Sequence, residues 1–155
     1  MEGNMKALSV RQPWALQIND GEKNVEYRTW QTDYRGELLI CASKSSKPVW
    51  IKVEIDGGEQ ILPAPMGCQM CVVNLVDIQK VTREEAEAEQ MEWSPSLCKW
   101  IFDGGYTVEP TPVKGKLHLF EVPDEMIFPI EGDHYWCDFD YEGRDKVPPK
   151  EWEEE

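Results

Sequence analysis

The feature that most constrains this chain is the run MCVVNLVDIQKV at residues 70–81. Val72, Val73, Val76, Ile78 and Val81 are β-branched. Such side chains are stiff at χ1 and pack well on a pleated surface, so the run reads as a strand. A strand needs neighbours, and shorter candidates lie on both sides of it. Residues 6–10, 37–43, 99–102 and 116–122 are short runs rich in apolar side chains. Residues 25–30 alternate, with Val25, Tyr27 and Thr29 on one face and Glu26, Arg28 and Trp30 on the other. Helical signals are fewer. Pro13 suits the first turn of a helix running to about Asp20, with Trp14, Ala15 and Ile18 facing inward and Gly21 as its left-handed stop. Thr82 and Glu85 form a capping box, which starts a helix reaching about Met91. A short helix is also expected around residues 48–53, followed by a loop rich in Gly and Pro, and Tyr34-Arg35-Gly36 reads as a turn. Many short strands with few helices predict an α+β, mainly β fold: a small, partly open β-barrel with a few short peripheral helices.

The chain has 155 residues, which suits one domain. A domain over residues 5–122 is expected, followed by an acidic, partly flexible extension over 123–155 whose end, KEWEEE, reads as a mobile tail. The net charge of −14 opposes extended contact with nucleic acid. That charge is uneven: residues 1–52 carry +2 and the remainder −16. An anionic ligand therefore belongs to the first third, and the acidic remainder reads as solvated surface. No apolar run approaches the ~20 residues that span a bilayer, and the N-terminal residues lack a basic region followed by an apolar stretch. Five cysteines, an odd number without framework spacing, fit a reducing, cytoplasmic setting. Cys68-x-x-Cys71 is a lone pair short of the four ligands a zinc site needs, and no nucleophile-elbow, Walker or dinucleotide motif occurs, so no metal and no cofactor are expected.

The densest pattern is in ALSVRQPWALQINDGEKNVEYRTWQTDYRGELLICASK. It reads R-Q-P-W after a strand, then G-x-K-x-x-E-x-R-x-W, then Y-R-G, a hydrophobic strand and A-S. At Arg11, Gln12, Pro13, Trp14, Gly21, Lys23, Glu26, Arg28, Trp30, Tyr34, Arg35, Gly36, Ala42 and Ser43 this resembles the ASCH family. PVKGKLHLFEV at 112–122 resembles that family's closing strand. The resemblance implies a PUA-like β-barrel and a role near RNA, single-stranded nucleic acid or modified nucleosides. Relatives include an amidohydrolase that removes the acetyl group from N4-acetylcytidine, and ribonuclease activity is known in the family. The catalytic set of those amidohydrolases resembles Lys-x-x-Thr with a later Glu. Lys23 matches, Glu26 stands in the Thr place, and Asp77, Glu84 and Glu85 are candidates for the later carboxylate. Lys23 and Glu26 are thus the catalytic candidates that the resemblance implies.

The residues themselves point first to binding. Glu26 and Arg28 are two apart on one strand, so their side chains share a face about 7 Å apart. Lys23 lies in the turn just before them. A carboxylate between two cations holds both in place, and such a cluster suits an anion or a carbonyl. Lysine catalysis needs a neutral amine, which a carboxylate neighbour opposes. A plain ion-pair ladder on the sheet surface is the alternative. Trp14 and Trp30 could stack on a base, although core packing is the simpler reading for Trp14. Arg11, Arg35 and Lys44 could hold phosphates. Gln12 and Tyr34 complete the binding candidates, and Ser43 could hydrogen-bond a ligand or cap a helix over 44–53. Arg11, Lys23, Glu26, Arg28 and Ser43 are expected to line one cavity at the barrel mouth. The function expected is binding or processing of RNA or a modified nucleoside. An amidohydrolase acting on N4-acylated cytidine and an interaction module without activity are the alternatives.

Overall fold

The β-branched run is the spine of a curled sheet. The computed structural model describes residues 3–150, so all but the first residue of KEWEEE lies outside the described residues. Among them the elements are β1 (Asn4–Val10), α1 (Trp14–Asn19), β2 (Val25–Arg28), β3 (Gly36–Ala42), β4 (Trp50–Ile55), β5 (Gly58–Pro63), β6 (Cys68–Lys80), α2 (Arg83–Ala88), β7 (Cys98–Thr107) and β8 (Phe120–Pro123). The fold is α+β and mainly β, as expected. Six strands form one sheet in the order β2-β7-β6-β3-β1-β8, and β4 pairs with β5. Within the sheet β1 and β3 are parallel, and every other pairing is antiparallel.

The ladder does not close into a barrel, because β2 and β8 are its edges. The sheet nevertheless curls. The β6–β7 ladder slips between Val72 and Asn74 and again between Leu75 and Asp77. There Gly105, at φ +128°, lies so near β6 that an added Cβ would fall 2.1 Å from the Val72 carbonyl oxygen. Such irregularities bend a strand and deepen its twist. The two edges then meet through side chains: the ring of Trp30, just past β2, lies 4.6 Å from that of His118, just before β8.

Both faces of β1 and β3 are buried. Leu8, Val10, Leu38, Ile40, Met70 and Trp100 belong to the larger core. Ala7, Leu39, Cys41, Val72, Phe120 and Val122 form a second cluster on the opposite face. A strand covered on both sides needs no alternation, which is why β3 reads as an unbroken apolar run. All five cysteines are free and buried. Burial pushes the Cys68 and Cys71 thiols up to about 12, so they act as packing groups rather than nucleophiles. Downstream of β8, Trp136 and Cys137 enter the larger core, and Tyr141 donates a 2.6 Å hydrogen bond to the Pro63 carbonyl.

Several local expectations are corrected. The helix expected around 48–53 is instead the β4–β5 hairpin, turning at Asp56-Gly57 with φ of 49° and 79°. Ile51, Val53 and Ile55 alternate and pack on the core, and Asp-Gly supplies the two positive φ angles that a two-residue hairpin turn demands. In α1, Ala15, Leu16 and Ile18 form the buried arc, while Trp14 is 46% exposed at its margin. Helix α2 stops at Ala88. Thr82 accepts from the Glu85 amide at 3.1 Å, but the Glu85 carboxylate turns away to Lys99 (2.9 Å) instead of completing the capping box. The last strand starts at Phe120, since His118 adopts φ +60°, which an extended strand excludes.

Candidate functional site

Arg28 is the centre of the site. Strand β8 pairs with β1 only from Asn4 to Ala7, which leaves the edge of β1 open beyond that point. Arg28 Nη2 reaches across from β2 and donates to the Ser9 carbonyl (2.7 Å) and to Glu26 Oε2 (2.8 Å). One guanidinium therefore joins the two ends of the sheet. The Glu26 side chain is 13% exposed, and its other oxygen, Oε1, lies 3.6 Å from Lys23 Nζ. Lys23 also lies over the Tyr27 ring, 5.7 Å from its centre. Two cations share one carboxylate, as the spacing of Lys23, Glu26 and Arg28 suggests. At 13–24% side-chain exposure the three form a partly buried network rather than a surface ladder.

Beside this network is a cavity of about 470 Å³, with Arg11, Trp14, Glu26, Arg28, Trp30 and Ser43 on its walls. Trp30 is held there from behind. Its carbonyl accepts from Cys98 Sγ (3.2 Å) and Trp100 Nε1 (3.3 Å), and its ring meets Trp100 edge-on at 4.7 Å. The aromatic wall thus stands on the buried core, while Trp14 faces it from α1 with nearly half its surface exposed.

Other candidates lie elsewhere. Lys23 lines a neighbouring cavity of about 380 Å³ with Asn19, Asn24 and Thr107, and meets the first cavity's wall from behind, at Glu26 and Tyr27. Gln12 is buried: its Nε2 donates to the Pro65 carbonyl (2.8 Å) and its Oε1 accepts from the Leu16 amide (3.0 Å). It secures the start of α1 rather than facing a ligand. Tyr34 donates its hydroxyl to the Glu37 carbonyl, away from the cavity. Arg35 donates to the Thr32 and Tyr34 carbonyls and lies 4.0 Å from Asp77. Glu85 pairs with Lys99, and Glu84 is exposed on α2, so Asp77, Glu84 and Glu85 all lie outside the cavity wall.

Three lining residues come from far along the chain: Lys116, Leu117 and His118. The signal for them is the K-G-K at 114–116, which reads locally as the start of a strand. Gly115 comes close to β1, since an added Cβ would fall 2.3 Å from Ser9 Oγ and 3.5 Å from Ser9 Cβ. The segment therefore lies directly on β1 and carries its cations to the mouth.

Comparison with known proteins adds the lineage. The protein-family model for the ASCH domain matches residues 8–121. The chain is similar to "Activating signal cointegrator 1" of Homo sapiens, 29% identical over 133 residues, covering 77% of this chain and 22% of that protein. It is likewise similar to the protein of the same name from Mus musculus, 28% identical over 131 residues with the same coverages. The chain thus spans about a fifth of the length of these curated relatives. Among the described residues no helix is long and apolar enough to cross a membrane.

Proposed function

The chain belongs to the ASCH domain family, and from that premise we propose that it binds single-stranded RNA or a modified nucleoside in the cavity beside Arg28. The observation that carries this reading is one wall that pairs an exposed and a core-backed tryptophan with a fixed carboxylate–guanidinium pair. Stacking on an aromatic ring is worth ~1–3 kcal/mol per base and tolerates any base, because every base has a π-face. Glu26 and Arg28 offer an acceptor and a donor to a base edge, and Arg11 and Lys116 offer cations to phosphate. The net charge of −14 works against long duplexes, so short or unpaired ligands are favoured. The amidohydrolase reading draws less support, since Lys23 opens into the neighbouring cavity and none of the candidate second carboxylates reaches this one.

Titration of single-stranded and duplex RNA oligonucleotides and of free nucleosides, each at two salt concentrations, tests the proposal. Salt-sensitive binding of the single strand is expected. Trp14→Ala removes an exposed ring and should weaken that binding about 5- to 150-fold, the equivalent of one lost stack. Equal affinity in the wild type and Trp14→Ala, or no binding of any ligand, would sink the reading.

A further inference from the structure

A second concavity, of about 810 Å³, adjoins the first around the 114–118 segment. The two share Ser9, Ser43, Lys116 and Leu117. The second has apolar walls at Ala42, Val113 and Leu117, with Lys44 and Lys114 at its rim. One carboxylate, Glu142, lies 3.5 Å from Lys44 in an exposed pair. Each cavity is within the ~300–1,000 Å³ that holds one small ligand, so together they exceed the needs of a single nucleoside. Leu117 lines both and is 89% exposed, so its side chain is open to a ligand in either cavity. On its N-terminal side two cationic residues of one short stretch, Lys114 and Lys116, line the second cavity. On its other side His118 packs on Trp30 in the first cavity. The segment is held from beneath, with Gly115 against Ser9 and the Val113 amide donating to the Gly67 carbonyl (2.9 Å).

We infer that the site takes a dinucleotide step of a single strand with its two bases splayed apart. One base stacks in the tryptophan cavity, and the next lies on the apolar walls of the second with the acceptors of its edge toward Lys44 and Lys114. Leu117 keeps the two unstacked, and the phosphate between them lies on Lys116. This rests on the reading of the first cavity as a base site. Splayed bases are how unpaired strands expose their faces and edges to side chains. An isolated nucleotide would leave the second cavity and its two lysines without a ligand.

The test compares each nucleoside 5′-monophosphate with the matched dinucleoside monophosphate (UpU, CpC, ApA or GpG) by calorimetry. At least tenfold tighter binding of one or more dinucleotides is expected. The double variant Lys44→Ala, Lys114→Ala alters only exposed residues of the second cavity. It should abolish the gain while leaving mononucleotide affinity unchanged. Equal affinity for both ligand lengths, or a gain that survives in the double variant, overturns this inference and leaves the first cavity's assignment standing. Failure of both ligand lengths to bind overturns the two together.

Discussion

Arg28 matters because one nitrogen serves two acceptors on different elements, the Ser9 carbonyl and the Glu26 carboxylate. Lysine carries a compact point charge on a flexible stem, so it lacks the planar guanidinium that holds this geometry. The pair is neither open to solvent nor fully dry, so its energetics fall between those of surface and buried ion pairs. Glu26→Gln keeps the shape and removes the charge that both cations share. It should lower stability by roughly 1–3 kcal/mol, since a hydrogen bond to a charged group is exchanged for a neutral one. A double-mutant cycle of Glu26→Gln with Arg28→Ala, followed by chemical denaturation, should show a coupling of ~0.5–3 kcal/mol. Strict additivity would mean that the contact contributes nothing and that the site is held by its backbone alone.

At the scale of elements, the decisive feature is the irregular β6–β7 ladder. Gly105 permits it, having no Cβ to meet the Val72 carbonyl and no penalty at φ +128°. Gly105→Ala should cost ~1–3 kcal/mol or more, the range for a strained backbone forced on a residue with a side chain. Gly58→Ala is the control: it lies in the hairpin strand β5 at ordinary distance from its neighbours and should shift stability by about 0.5 kcal/mol or less. Similar losses in both variants would show that the close approach is not what bends the sheet. The β4–β5 hairpin follows a different logic. Its turn is encoded in two adjacent residues, Asp56 and Gly57, and its alternation in Ile51, Val53 and Ile55. The signal is therefore local, although Pro48 nearby mimics the start of a helix.

Across the whole molecule, the edges of an open sheet meet at the site, and the segment beyond β8 packs into the larger core. Trp136 is 5% exposed among larger-core residues, and its ring lies 5.9 Å from that of Tyr141. Trp136→Ala should destabilise the protein by about 3–5 kcal/mol, the cost of a large core truncation. Thermal or denaturant unfolding of that variant measures it. A change of under about 1 kcal/mol would mean that residues 124–150 only rest on the surface. The same long-range assembly gathers charge: Arg11, Lys44, Lys114 and Lys116 surround adjoining cavities of a chain that is strongly acidic as a whole.

What the sequence determined by itself is what depends on neighbours along the chain. The β-branched run gave away β6, Gly21 ended α1 at φ 79°, and Thr82 capped α2. The spacing of Lys23, Glu26 and Arg28 placed two cations around one carboxylate, with Arg28 beside Glu26 because two residues along a strand return to the same face. The tertiary structure decided what depends on the curl of the sheet. It turned Lys23 toward a different cavity, buried Gln12 as a helix support, and left Tyr34 and Arg35 outside. It also brought Lys116, Leu117 and His118 to Arg28 from about ninety positions along the chain. No local periodicity carries that approach, because it is set by a glycine against Ser9 and a bulged ladder on the far side of the sheet.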